Sequence, residues 1–315
     1  MTNNETSPSG NNLEEARTFL NSAEIDGWLT RDYRYTNPVF EAALGLHIEN
    51  LTRPVWLWIP ANSEPSILAH EVDIGRFPQG PIPLIAYGSR NQMVEALKHM
   101  LNGANTVAME YSPLYELPRV GRVDAGTIEL VRSLGANVVS SGDLLQHSTE
   151  RWTPDQLQSH FFAVEALDKI VIQTFAYAGE NIRWALTEHD LAEHIRGKFD
   201  QAGLEFDDGP VVAFNAHSAD PHYEPKPNDS AVIRRQGWLL IDLWARKKSD
   251  SPDQRNISAD ITWTAKLGEP PSSKHQEVFR AVTNARDAAF ELLENRVLEG
   301  GSPNFAVQVM SAEML

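Results

Sequence analysis

The sequence predicts a two-domain protein of mixed class, with an α/β domain up to about residue 150 and an α+β domain after it. Three observations carry this prediction. Before residue 150, short apolar runs typical of strands alternate with segments of helical spacing. After it, Thr153 and Pro154 begin a long amphipathic helix, and a β-hairpin is predicted over 237–268. A chain of 315 residues is long enough to form two cores.

The first domain is predicted to be a largely covered sheet with helices around it. Residues 1–11 are polar and are predicted to form a disordered tail, so the domain is placed at 12–150. A strand run that carries Trp56 and Trp58 on one face is expected to pack them in the core. Helices are predicted over 12–22, 91–101 and 124–134, and strands over 28–30, 55–59, 66–72, 82–87, 106–110 and 137–140.

The second domain, 151–315, is predicted as two helices, three strands and a third helix. Thr187 and Asp190 have the spacing of a capping box, and Ser272 or Ser273 is expected to cap the third helix. The hairpin arms are 238–244 and 257–267, joined by the charged turn 246–256. The helices are predicted over 155–178, 191–202 and 276–298, and the remaining strand over 211–215.

Each hairpin arm contains one acid. Asp242 interrupts an apolar run, and Asp260 lies in an alternating strand. Burying an acid in such a strand is costly unless its charge is compensated, and two acids that converge on paired strands are commonly compensated by a divalent metal ion. The alternative is that each acid lies alone at a strand end, hydrogen-bonded to a loop.

The amino-acid composition argues against several classes of function. The net charge of −16, with 43 acids against 27 Lys and Arg, argues against binding to nucleic acids or anionic membranes. We find no apolar stretch long enough to span a bilayer and no secretory signal, so the cytoplasm is the expected location. The chain has no cysteine, so any metal must be held by oxygen and imidazole ligands. Motifs of serine hydrolases and nucleotide-binding loops are missing.

Four motifs of the second domain resemble the pita-bread superfamily, which contains prolidase, Xaa-Pro aminopeptidase, methionine aminopeptidase and creatinase. The resemblance is greatest to the Xaa-Pro peptidase branch. The first domain resembles the creatinase-type N-terminal domain of that branch, through Ala-Met-Glu at 108–110 and the segment 123–136. The motifs of the second domain are Val-Ala-Phe-Asn-Ala at 212–216, Pro-His-Tyr-x-Pro at 221–225, Leu-Leu-Ile-Asp at 239–242 and Asp-Ile-Thr-x-Thr at 260–264.

The resemblance implies a dinuclear metallopeptidase that hydrolyses a peptide bond at proline. It assigns Asp242 and Asp260 as metal ligands, with Asp260 bridging, and His222 as a residue that faces the substrate and stabilises the reacting amide. Two ions, Mn²⁺ or Co²⁺ with Zn²⁺ or Fe²⁺ as alternatives, would generate a hydroxide nucleophile and polarise the scissile carbonyl. The substrate would be a peptide or small amide, and the protein a homodimer. Residues near the site are His217, Tyr223, Thr262 and Thr264.

The sequence departs from this family pattern in two ways. The hairpin turn is longer than in most of these enzymes, which need not move the arms. The family also takes one His and two Glu ligands from a second half of the fold. Here the last histidine is His275, and the glutamates after the middle of the last helix lack the family context. We therefore expect only the first half of the pita-bread fold, weak metal binding, impaired activity and an underpacked hairpin.

Two further functions stay open. One is a non-catalytic protein that keeps the fold for binding or dimerisation. The other is metal-free creatinase-like amidinohydrolase chemistry centred on His222, which the presence of both acids weakens.

The other histidines and the basic residues of the hairpin turn are expected to have structural roles. His189 and His194 are expected to pack rather than bind metal, because their spacing does not stack them on one helix face. His217 is expected to fix its loop more than to act in catalysis. Arg246 and the two lysines after it are expected to form a solvated turn.

Overall fold

We describe the fold from a computed structural model, which covers residues 8–78, 80, 82–148, 151–249 and 256–298. The chain divides into two compact units between Arg151 and Trp152. The second unit is Trp152–Asn284, and residues 285–298 group with the first unit. Among the helices that the structure describes, none is both long enough and apolar enough to cross a membrane.

The first unit alternates helices and strands from its beginning. Helix α1 begins at Pro8, inside the segment that the sequence predicts as a tail, and residues 1–7 lie outside the described residues. The elements are α1 (Pro8–Ser22), β1 (Gly27–Asp32), α2 (Pro38–Leu44), β2 (Val55–Pro60), β3 (Ser66–His70), β4 (Leu84–Tyr87), α3 (Arg90–Met100), β5 (Thr106–Met109), α4 (Ala125–Ser133), β6 (Asn137–Ser140) and α5 (Gly142–Ser148).

The strands of this unit form one sheet in the order β4-β3-β2-β1-β5-β6. Successive residues of a strand point to opposite faces, and here both faces are apolar. Leu57 and Ile59 of β2 belong to the core on one side, whereas Trp56 and Trp58 belong to the core on the other. The sheet is therefore covered on both faces, as the sequence predicts, and both tryptophans pack in the core as expected.

Glu110, which follows β5, is a completely buried acid of the first unit. Its carboxylate accepts hydrogen bonds from Trp28 Nε1 at 2.7 Å and Thr30 Oγ1 at 2.8 Å. Asn37 Nδ2 donates at 2.7 Å and Ser141 Oγ at 3.3 Å. Burial raises the pKa of Glu110, and these four hydrogen bonds oppose that rise. All four donors are side chains, so Glu110 links separate elements of the unit.

The second unit begins with the longest helix, whose N-cap Thr153 forms a capping box with Gln156. Thr187 and Asp190 form the second predicted capping box. Ser272 Oγ accepts from His275 N, so Ser272 caps the last helix. The elements are α6 (Pro154–Asn181), α7 (Glu188–Gln201), β7 (Leu204–Glu205), β8 (Val211–Phe214), β9 (Gly237–Lys247), β10 (Ala259–Leu267) and the part of α8 (Ser273–Leu298) up to Asn284.

Strand β9 is the centre of the second sheet. It pairs antiparallel with β10 on one side and with β7 and β8 on the other. Leu239, Ile241 and Leu243 of β9 are fully buried in a core that includes residues of α6 and α7. The helices thus cover one face of the sheet. The predicted mixed fold class is confirmed.

Two helices escape prediction from the sequence, and both are short. Asn37 caps α2 by accepting from Val39 N, with Pro38 at the first helical position. Helix α5 packs Leu144 and Leu145 into the first core. Each has seven residues, too few to show a clear helical repeat of apolar positions.

Candidate metal and substrate site

The predicted hairpin is a continuous antiparallel ladder, and its register decides where the two acids lie. Asp242 is paired with Thr262, and Asp260 with Trp244. Residues paired across a ladder share a face, as do residues two apart along a strand. Asp242, Asp260 and Thr262 therefore lie on the same face. Thr262 Oγ1 donates to Asp242 Oδ1 at 2.6 Å.

This face is the open face of the sheet. Asp242 is partly buried and Asp260 is exposed, whereas the residues beside Asp242 on β9, Ile241 and Leu243, are completely buried. The expectation that both acids are buried is therefore wrong, because β9 is amphipathic and turns them away from the core. Even so, partial desolvation raises the pKa of Asp260, and the negative charge of Asp242 raises it further. The two carboxylates are close enough to interact.

One end of the open face is covered by the segment 205–209. Trp244 Nε1 donates to Asp208 at 2.9 Å, and Arg246 forms ion pairs with Glu205 at 2.9 Å and Asp207 at 2.8 Å. The Arg246 side chain is only 13% exposed. The expectation of a solvated Arg246 is therefore wrong, since its carboxylate partners come from a distant part of the chain.

The other end of the same face opens into a cavity of about 430 Å³. Along the ladder from Asp242, the next row on this face is Leu240 with Thr264, and the row after it is Trp238 with Lys266. The ring of Trp238 contacts the imidazole of His275 edge-on, with centroids 5.3 Å apart. The cavity is lined by Trp238, Thr264, Lys266, Pro271, His275, Gln276, Phe279 and Arg280.

The predicted substrate-facing residue, His222, lies in the loop between β8 and β9. Its side chain is exposed, and its backbone N–H donates to Asp220 Oδ1 at 2.9 Å. Asn215 Oδ1, at the start of this loop, accepts from Trp238 N at 2.8 Å. The loop is therefore attached to the strand that carries Asp242. That His222 faces the two carboxylates stays a prediction.

A buried acid, Glu188, organises this loop, although no pattern in the sequence predicts such a role. Glu188 is the first residue of α7 and is 0% exposed. His217 Nδ1 lies 2.9 Å from Oε1, and Tyr223 Oη donates to Oε2 at 2.6 Å. Burial raises the pKa of Tyr223 to about 12, and its hydrogen bond to Glu188 adds to the rise. His217 stacks on Tyr223 with centroids 4.3 Å apart. His217 thus fixes its loop.

The donor set for a metal ion is partial within the described part of the chain. There, we find no group of three or more His, Asp or Glu side chains that could hold a metal ion. Two carboxylates fit an oxygen-preferring divalent cation, but such ions take more ligands than this. His189 and His194 are not brought into a site. His194 stacks on Tyr177 at 3.8 Å.

The comparisons with known proteins agree with this fold. Residues 163–310 match the model of metallopeptidase family M24. A dipeptidase PepE from Mycobacterium ulcerans is 17% identical, with a TM-score of 0.60; the match covers 90% of this chain and 71% of that one. A dipeptidase from Pyrococcus horikoshii is 19% identical, with a TM-score of 0.53 and coverages of 90% and 72%.

A prolidase from Pyrococcus horikoshii is 19% identical, with a TM-score of 0.51 and coverages of 88% and 71%. No curated protein matches the chain. The structural matches extend over both units and show a shared fold. This chain spans about 71% of the length of these neighbours. Residues 163–310 are therefore similar to metallopeptidase family M24, and the structural matches show that the chain shares a fold with these dipeptidases and this prolidase.

Proposed function

We propose that the protein is an Xaa-Pro-type metallopeptidase by descent, with impaired activity. The observation that carries the proposal is the shared face of Asp242 and Asp260, where the charge of one raises the pKa of the other. Such a pair is stabilised when a divalent cation neutralises it. The proposed impairment is supported by the ligand count, since the two carboxylates are fewer ligands than such a cation takes. A cytoplasmic location stays a prediction from the sequence.

We assign a separate role to each residue near this face. Thr262 donates to one oxygen of Asp242 and so orients the carboxylate, leaving the second oxygen for a ligand. Asp260, exposed beside it, is the proposed bridging ligand. When bound, Mn²⁺ or Co²⁺, with Zn²⁺ or Fe²⁺ as alternatives, would supply Lewis acidity toward the peptide carbonyl. His222 is the proposed donor to the reacting amide.

The cavity beside the carboxylates is the proposed site for the substrate chain. Trp238 and Phe279 offer apolar walls, and Lys266 and Arg280 bring positive charge. A peptide with an apolar side chain and a free carboxylate matches both properties. Thr264 lines the cavity and lies one row from Asp242 along the ladder, so it marks the near edge of the cavity.

Metal binding tests the proposal directly. Titration with Mn²⁺ in a calorimeter should show weak binding to the unaltered chain, which Asp260→Asn should weaken at least about tenfold. Asp168→Asn, which changes an exposed acid on α6, should bind like the unaltered chain. Equal binding by all three proteins would contradict the site.

Activity provides the second test. The unaltered chain with Mn²⁺ should hydrolyse an Xaa-Pro dipeptide such as Ala-Pro poorly or not at all. Turnover at the level of an ordinary peptidase, abolished by Asp260→Ala, would show that the site is complete and that the proposed impairment is wrong.

Dimerisation is favoured by a separate observation, the exposed apolar stripe of α8. Phe279, Val282 and Phe290 share one helix face by their spacing and are more than half exposed. Such a stripe usually marks an interaction surface, and we propose that it contributes to a homodimer. Light scattering after size exclusion should give the mass of a dimer, which Val282→Glu should reduce to that of a monomer. A monomeric unaltered chain would refute this.

A further inference from the structure

We propose that Glu188 is the positioning residue of the site: its carboxylate fixes the loop 215–231 and, through it, His217 and His222. This inference rests on the proposed function for the meaning of His222. The arrangement of the loop itself stands on the contacts of one buried side chain.

Glu188 holds both ends of the loop through the backbone. Phe214 N, at the end of β8, donates to Oε1 at 2.6 Å, and Ala231 N donates to Oε2 at 2.6 Å. The second end is also held by backbone pairing, since Glu188 N donates to Ala231 O at 3.1 Å and Ile233 N donates to Leu186 O at 2.8 Å. One carboxylate therefore fixes where the loop leaves β8 and where it returns.

The same carboxylate holds the middle of the loop through side chains. It accepts from Tyr223 Oη and from His217 Nδ1. Tyr223 follows His222 directly, and on the other side Asp220 accepts from the N–H groups of both residues, through Oδ1 and its backbone oxygen. The backbone at His222 is thus fixed from two sides while its imidazole stays exposed.

The contact with Glu188 also determines the tautomer of neutral His217. Both oxygens of Glu188 already accept from backbone N–H groups, so a carboxylate in this position can accept from Nδ1 but cannot donate to it. The proton of neutral His217 is therefore on Nδ1, and Nε2 is left as an acceptor. A carboxylate behind an imidazole commonly fixes its tautomer and orientation in this way. The His217 side chain is 39% exposed, so Nε2 can meet a ligand.

Neither glutamine nor aspartate can reproduce the contacts of Glu188. A glutamine has one acceptor oxygen and one donor NH₂ group, and either orientation directs the NH₂ toward a backbone N–H, of Phe214 or of Ala231. Aspartate is one methylene shorter and cannot keep all four contacts. The requirement for two acceptor oxygens points to a role for the ionised carboxylate rather than for packing.

The experiment compares Glu188→Gln with Glu180→Gln, which changes an exposed glutamate near the end of α6. Two readouts need no activity. Nitrogen NMR should show His217 protonated on Nδ1 in the unaltered protein and in the control, and a mixture of tautomers in Glu188→Gln. Hydrogen exchange at Phe214 and Ala231 should be at least about tenfold faster in Glu188→Gln only. Unchanged tautomer and exchange would overturn the proposal.

Function is read separately with Mn²⁺ and Ala-Pro. Glu188→Gln should leave the Mn²⁺ affinity unchanged, because Asp242 and Asp260 lie on other elements, and should reduce binding or turnover of Ala-Pro at least about tenfold. If the unaltered chain neither binds nor cleaves Ala-Pro, the proposed function fails, and the His217 tautomer and the hydrogen exchange still test the role of Glu188.

Should Glu188→Gln not fold, Tyr223→Phe provides a second test. It removes one contact of Glu188 and should accelerate hydrogen exchange at Tyr223 without changing the exchange at Phe214. No change at either position would overturn the role.

Discussion

The two units each bury one glutamate completely, and the two carboxylates are held by different kinds of donor. Glu110 accepts from the side chains of Trp28, Thr30, Asn37 and Ser141. Glu188 accepts from two backbone N–H groups, a histidine and a tyrosine. Two of the donors to Glu110, Thr30 and Ser141, are hydroxyls that can rotate to become acceptors, whereas a backbone N–H cannot. Glu110 is therefore part of an adaptable core network, and Glu188 is bound to a fixed framework that carries an exposed loop.

The largest effect expected from this difference is on stability. Glu188→Gln should lower the free energy of unfolding of the second unit by about 2–3 kcal/mol, because a buried NH₂ then opposes a backbone donor. Chemical denaturation followed by the tryptophans of β9 would measure it. A loss below about 0.5 kcal/mol would mean that backbone donors adapt as readily as side chains.

Glu110→Gln should have a smaller effect, a loss of about 1 kcal/mol in the first unit. The hydroxyls of Thr30 and Ser141 can turn to accept from the new NH₂ group, and the substitution removes a buried charge. Denaturation monitored by NMR signals of β1 and β5 would report it. If Glu110→Gln destabilises as much as Glu188→Gln, the contrast between the two networks is wrong.

The pH dependence of the first unit sharpens the same point. Because the pKa of Glu110 is raised in the folded state, the folded protein holds this proton more tightly than the unfolded one. The contribution is complete below the unfolded pKa, near 4.5, and is lost as the pH rises through the folded pKa. Stability should fall across that interval in the unaltered chain and stay flat in Glu110→Gln. Parallel curves would contradict the assignment.

The smallest effect concerns the exposed acids of the hairpin. Asp242→Asn removes the charge that adds to the raised pKa of Asp260, so this pKa should move down toward 3.8 while desolvation keeps part of the rise. A carbon NMR titration of the Asp260 carboxyl would follow it. Thr264→Val, on the same face but without charge, serves as the matched control and should leave the pKa in place.

The sequence predicts features whose causes are local. Thr153, Thr187 and Asp190 cap their helices as expected, since a cap needs only residues three positions away. The hairpin is likewise predicted from local pattern, an apolar run in the first arm and alternation in the second. The resemblance then locates Asp242 and Asp260 on the two arms of the hairpin, and His222 in the loop before it.

Other features depend on contacts that sequence spacing does not reveal. Glu188 follows a capping threonine and so has a sufficient local explanation, whereas its donors come from residues 214 to 231. Arg246 lies in a charged run, yet Glu205 and Asp207 bury it. Leu240 and Trp244 give β9 apolar residues on both faces, so its sequence predicts a buried Asp242 that the fold leaves on the open face.

The spacing of residues along the β9–β10 ladder also sets how long a ligand must be to reach each row. Each row on one face is two residues, or roughly 7 Å, from the next. The Thr264 row is one step from Asp242, and the Lys266 row is two steps away. An extended dipeptide, at roughly 3.4 Å per residue, reaches from the carboxylates to the near edge of the cavity. A ligand of about four residues is needed to bring a terminal carboxylate to Lys266, so chain length alone decides whether that charge is used.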